Sequence, residues 1–194
     1  MTTGVRGTAL LLPALSRIGR DDLAYAVLLQ ETCPSWVCSI RNGATTLWER
    51  WDGFVTGRGF ADAATNSLNH YAFGSVGEWM YDAIGGIALD PRAPAGRHVF
   101  IHPRPGGGLT FARARFNSLH GPIRTDWTLD ARTFRLKVVI PVGSSARVTL
   151  PFGGRVTESG NALKDVQGAR LVSMSDDASV VDVEAGSYDF AVAR

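Results

Sequence analysis

Glu49 stands between two indoles in the run Ala44-Thr45-Thr46-Leu47-Trp48-Glu49-Arg50-Trp51-Asp52. A carboxylate there can hold or release a proton, and flanking aromatic faces suit the C–H surfaces of a sugar. The same run also reads as structure, with Glu49 ion-paired to Arg50 or another arginine and Trp48 and Trp51 in a core. On composition alone the structural reading is the stronger, because ion pairs also perturb acids. A second run is Ser67-Leu68-Asn69-His70-Tyr71-Ala72-Phe73-Gly74-Ser75-Val76-Gly77-Glu78-Trp79-Met80-Tyr81. On a helix, His70, Gly74 and Glu78 would share one face, and the glycines would need a close neighbour to justify their cost. The structural alternative makes His70 a hydrogen-bonded core residue and Glu78 a buried network partner.

Other polar residues offer less. His98, His102 and His120 lie in strand-like sequence with no cysteine or ligand spacing beside them, so they read as structural or solvent-facing. Gly4-Val5-Arg6-Gly7 and Gly106-Gly107-Gly108 lack the lysine and strand–helix context of a phosphate loop. Ser144 and Ser145 show no nucleophile-elbow spacing. Cys33 and Cys38 are too few for a structural zinc site and read as packing cysteines, a local disulfide being the other option. No metal or cofactor is expected.

The elements that must position these residues divide near residue 90. Val5 to Ile18 has helical apolar spacing with Gly19 to stop it, and Asp21 and Asp22 open a second helix that ends before Pro34. Ser67 is read as the cap of a third helix, reaching the Gly85-Gly86 stop. Between the second and third lies a long connection, Cys33 to Asn66, of the kind that usually serves function. About three helices with broad apolar faces cannot cover those faces by themselves. After residue 90, six segments read as strands: 98–103, 110–117, 122–129, 133–140, 146–151 and 186–192. They alternate polar with apolar residues, and turns at Gly106-Gly107-Gly108, Asp130-Ala131-Arg132, Gly143-Ser144 and Gly153-Gly154 separate them, as in an antiparallel sandwich.

Charge follows the same division. Residues 1–89 hold six basic against eight acidic side chains, and the remainder fourteen against ten, for +2 over 194 residues. That balance, with no basic run interleaved with aromatics, excludes nucleic acid as the expected partner. No apolar stretch is long enough to span a bilayer. The start Met1-Thr2-Thr3-Gly4 lacks the character of a signal peptide, which predicts a cytoplasmic protein. The Pro/Gly-rich stretch Asp90–Gly96 is taken as a linker, giving domains 1–89 and 90–194.

The two runs above resemble the C-terminal portion of bacterial α-L-rhamnosidases, glycoside hydrolase family 78. Thr3-Gly4-Val5-Arg6-Gly7-Thr8, Leu11-Leu12-Pro13-Ala14-Leu15 and Leu28-Leu29-Gln30 before Pro34-Ser35-Trp36 fit the same family. The resemblance is specific through residue 89 and looser beyond. It implies an α+β chain in two parts: helices of a partial (α/α)6 barrel, 1–89, then a C-terminal antiparallel β-sandwich, 90–194. It implies inverting hydrolysis of terminal α-linked L-rhamnose, with Glu49 as the base that activates water and His70 as a contact to the sugar. Trp48 and Trp51 match the motif around the base and are taken with His70 as substrate-binding.

An inverting hydrolase also needs a general acid, roughly 6.5–9.5 Å from the base. The family's acid motif lies upstream of anything matched here. The expectation is therefore a rhamnosidase-like fragment, inactive alone, acting on a rhamnose-containing glycoside if the missing barrel segment is supplied. Two alternatives stand beside it: a non-catalytic carbohydrate-binding module, and an assembly protein that pairs, as a homo-oligomer for instance, through its exposed helical face.

Overall fold

The computed structural model describes residues 3–194. Met1 and Thr2, part of the stretch read above for a leader, lie outside them. The chain divides into two compact units, the first closing at Trp79 and the second running Met80–Arg194.

The first unit is helical with long irregular connections. α1 (Val5–Arg17) ends where expected, with Gly19 at positive φ, and α2 (Asp21–Leu28) follows, carrying Asp21 and Asp22 in its first turn. Acidic groups there complement the exposed N–H groups of a helix start. Leu12 of α1 and Ala24 and Tyr25 of α2 are buried. Tyr25 meets the ring of Trp79 edge to face at 5.2 Å, and the Trp79 indole N–H donates to Ser16 Oγ at 2.8 Å.

The long connection 33–66 contains a helix that the apolar spacing did not reveal, α3 (Trp36–Arg41), started by the Ser35 hydroxyl accepting from the Cys38 N–H at 3.0 Å. A two-residue hairpin follows, β1 (Phe54–Val55) against β2 (Gly59–Phe60). Cys33 and Cys38 form a disulfide, so the reading of plain packing cysteines is corrected.

The expected third helix also changes. Residues 67–71 are not helical, and the coil tightens only at Ala72–Ser75 before α4 (Val76–Trp79). Ser67 makes a local turn instead of a helix cap, its hydroxyl accepting from the Asn69 N–H. His70 therefore shares no helix face with Gly74 and Glu78, and Glu78 is exposed, not a buried network partner. The close neighbour required at Gly74 is Leu47, whose Cδ1 would lie 2.7 Å from an added Cβ.

The second unit is a two-sheet sandwich. One sheet has the order β10-β9-β13-β7-β6-β5, from β5 (Phe111–Ser118), β6 (Gly121–Leu129), β7 (Thr133–Ile140), β9 (Val156–Glu158), β10 (Asn161–Ala162) and β13 (Gly186–Ala193). The other has the order β11-β12-β8-β4-β3, from β3 (Ile87–Leu89), β4 (His98–Ile101), β8 (Ser145–Pro151), β11 (Ala169–Met174) and β12 (Ala178–Val183). All pairings are antiparallel except β4 with β8. Alternating residues, among them Ile123, Trp127, Phe134, Leu136, Val148 and Phe190, fill one continuous core. The Trp127 indole N–H donates to the Ile84 carbonyl at 2.7 Å, satisfying the one polar atom of that buried ring. Asp90–Gly96, read as a linker, connects β3 to its antiparallel neighbour β4 within one sheet.

Candidate functional site

Glu49 is placed by a pair of backbone bonds. Its N–H donates to the Ser67 carbonyl at 2.8 Å, and two residues earlier the Leu47 carbonyl accepts from the His70 N–H at 2.8 Å. Thr46 adds a side-chain bond from its hydroxyl to the Leu68 carbonyl. Residues 46–49 thus run beside 67–70, and the Ser67 N–H donates to Glu49 Oε2 at 2.8 Å. One oxygen of the carboxylate is fixed by this bond. Asn66 secures the loop that follows, its amide donating to the Gly53 carbonyl at 2.9 Å.

The carboxylate lines a cleft of about 720 Å³ with Trp51, Asp52, Phe54, Pro34 and the Cys33–Cys38 bridge. Asn42 ties two of its walls together. Its amide donates to the Cys38 carbonyl at 2.9 Å, while its oxygen accepts from the N–H and hydroxyl of Thr56 in the hairpin. Trp51 stacks on Phe73 at 3.8 Å and meets Trp36 edge to face at 5.3 Å, a rigid aromatic wall.

The expected ion pair between Glu49 and Arg50 does not form. Arg50 instead binds Asp52 with two bonds, at 3.0 and 3.2 Å, and Arg58 reaches Asp52 at 3.3 Å. The hydrogen bond from Arg50 is the largest influence holding Asp52 below the usual carboxylate range. That direction suits an ionised carboxylate and works against a proton donor at neutral pH, which needs a raised value.

The other residues singled out in the sequence separate. Trp48 is buried, edge-on to Phe54 at 6.4 Å, and does not line the cleft, so Trp51 is the indole that does. His70 is half-buried and outside the cleft lining; its Nδ1 accepts from the Ala72 N–H at 3.2 Å and its ring stacks on Tyr71. Among the described residues no group of three or more His, Cys, Asp or Glu side chains is placed to hold a metal ion. No helix among them is long and apolar enough to cross a membrane. Sequence reasoning passed over Asn42 and Asn66, because an amide in a loop has no spacing signature.

Helical hairpins followed along the chain by a two-sheet sandwich, with a carboxylate in an aromatic-walled cleft, have the layout of a helical glycosidase domain and its terminal sandwich. Comparison with known proteins gives the same class. Residues 1–84 match the model of the bacterial α-L-rhamnosidase 6 hairpin glycosidase domain, and residues 86–163 that of the bacterial α-L-rhamnosidase C-terminal domain. An α-L-rhamnosidase of Streptomyces avermitilis is 43% identical over 99% of this chain, and one of Formosa agariphila 41% over 84%. The crystal structure of the S. avermitilis enzyme complexed with L-rhamnose superposes with a TM-score of 0.89 over 99% of the chain. The structure of α-L-rhamnosidase from Dictyoglumus thermophilum gives 0.86 at 32% identity over 100% of the chain. The chain belongs to the bacterial α-L-rhamnosidase family. It spans 18% of the S. avermitilis relative and 17% of the Formosa one, and 21% of the Dictyoglumus structure.

Proposed function

We propose that this chain carries the water-activating half of an inverting α-L-rhamnosidase site, with Glu49 as the general base. The observation that supports it best is the state of that carboxylate. It lines the cleft, is oriented by the Ser67 N–H, and takes part in no ion pair among the described residues. A base must stay available to a water molecule while being held in direction, and this arrangement meets both needs. Trp51 forms the wall on which a sugar face rests. His70 keeps Nε2 for a hydroxyl while the Ala72 N–H fixes the other ring nitrogen. Trp48 supports the loop from beneath.

The general acid of this reading comes from polypeptide that the relatives have and these residues do not match. Asp52 is held ionised by arginines, and Glu78 lies exposed outside the cleft lining. The same reading places the remaining helices of the barrel over exposed apolar side chains such as Leu10 and Ile18. The substrate is a glycoside with terminal α-L-rhamnose, in keeping with the L-rhamnose complex of the S. avermitilis relative. The Cys33–Cys38 bridge favours an oxidising compartment over the cytoplasm.

The test is a chimaera in which this chain replaces the matched part of the S. avermitilis enzyme. It is expected to hydrolyse an aryl α-L-rhamnoside, while the chain alone gives no turnover. Glu49→Gln in the chimaera lowers kcat by about 10²–10⁴ with rhamnose binding retained. Unchanged kcat in that variant overturns Glu49 as the base, and turnover by the chain alone that Glu49→Gln abolishes overturns the placing of the acid outside these residues.

A further inference from the structure

We propose that the sandwich carries a second ligand site, separate from the Glu49 cleft, that takes a neutral molecule with adjacent hydroxyl groups, such as one sugar residue. The site is a groove of about 370 Å³ at one end of the five-stranded sheet, where β4, β8 and β11 begin and β12 ends. That volume falls at the lower end of small-molecule cavities. Ala146, Ala169 and Gly168 leave the hollow, and His98, Ser145, Arg170, Asp182 and Glu184 supply its polar groups.

Its walls are built by bonds that need no ligand. Arg147 binds Asp182 through two bonds at 2.8 and 3.1 Å, and Arg170 binds the same carboxylate at 2.7 Å. His98 is oriented through Nδ1, 3.2 Å from Asp90, which Arg92 holds at 3.0 and 3.1 Å. The rim is locked as well. The Glu184 N–H donates to the Gly168 carbonyl at 2.9 Å, and the Tyr188 hydroxyl lies 3.1 Å from the carbonyls of both Gly168 and Glu184. Gly168 has positive φ, and an added Cβ would lie 3.0 Å from Tyr188 Oη, so this position favours glycine. A preorganised array binds with little ordering cost.

The charges select the ligand class. Arg147 and Arg170 hold Asp182, Arg92 holds the Asp90 behind His98, and Glu184 adds a further carboxylate to the groove lining. An anion meets Glu184 and arginines already committed to carboxylates. A metal ion meets those guanidiniums, and no three ligating side chains gather here among the described residues. An apolar molecule would strand the polar walls. Adjacent hydroxyls donate and accept at once. They can take hydrogen bonds from Arg170 and Ser145 and give them to Glu184 and to His98 Nε2, which accepts because the Nδ1–H faces the Asp90 carboxylate.

The experiment is a titration of the ¹⁵N-labelled chain with methyl α-L-rhamnoside, methyl α-D-glucoside and sodium glucuronate, followed by amide shifts. Saturable shifts are expected at 145–146, 168–170 and 182–184 with at least one neutral glycoside. Combining Arg170→Ala with Glu184→Gln weakens that binding about ten-fold or more, with the melting temperature kept because both side chains are exposed. Glu49→Gln leaves it unchanged. No saturable shift at these amides, or a response to glucuronate alone, overturns the site. Shifts confined to 42–54 overturn it while leaving the Glu49 reading standing; shifts confined to the groove support it, and the Glu49 reading is then decided by the chimaera.

Discussion

The two units handle the same problem, the covering of apolar side chains, in different ways. The sandwich closes its own core, with Trp127, Phe134, Leu136, Val148 and Phe190 all at 0% exposure. The helical unit buries Leu12, Tyr25, Trp36, Phe73 and Trp79, yet leaves Leu10 and Ile18 68% and 72% exposed. A sheet that faces another sheet is covered by its partner across one layer of side chains. A pair of helices has broad apolar stripes and needs further helices to cover them. The difference separates a unit whose two facing sheets fill one continuous core from a helical unit held together by smaller contacts along long connections. It is the helical unit that holds the cleft and its carboxylate.

This contrast can be broken or sharpened by measurement. Trp127→Ala, which removes a buried ring and strands the Ile84 carbonyl, is expected to cost about 3–5 kcal/mol; the urea midpoint of the sandwich, followed by backbone amide signals, reads it. A loss near zero would mean that the core tolerates the cavity and is not closed. Replacing both Cys33 and Cys38 by serine is expected to cost the helical unit up to about 2 kcal/mol, since so short a loop gains little from closure. Thiol titration of the unfolded, unreduced chain should find no free thiol, and two would remove the bridge from the cleft wall.

Asp90 gives a smaller, pH-dependent effect. Hydrogen bonds from the Arg92 side chain, then from its backbone N–H, bring the Asp90 carboxyl down to about 2. Because the folded value is depressed, its contribution is present above the ordinary value of about 3.9 and is lost as pH falls through about 2. A carboxyl titration by NMR should place the midpoint there, and Arg92→Ala should move it upward. Smallest of all, Leu10→Ser and Ile18→Ser should change stability by no more than about 0.5 kcal/mol, while reducing any self-association seen by light scattering. A large destabilisation would show that these side chains are already covered.

Much of the fold was legible where local pattern and tertiary environment agree. The six expected strands appear within two residues of their expected ends, because alternate residues of β6, β7, β8 and β13 face one core. β11 was not legible: it is an edge strand, exposed along nearly its whole length, and carries no alternation. α3 was hidden by its length of six residues, with Ser35 as its one signal. The start of the third helix was misplaced because a serine that caps helices also makes local turns, and only the contact between 46–49 and 67–70 decides between them.

By itself the sequence determined the strands of the sandwich, the first two helices, the family, and the carboxylate worth watching. Apolar periodicity and a dense motif are local properties, so they can be read residue by residue. Only the tertiary structure decided that Arg50 turns to Asp52 and not to Glu49, that Trp51 rather than Trp48 lines the cleft, and that Cys33 bonds to Cys38. Each of those outcomes is a choice between partners, and such a choice depends on distances and directions that a linear order of residues does not contain.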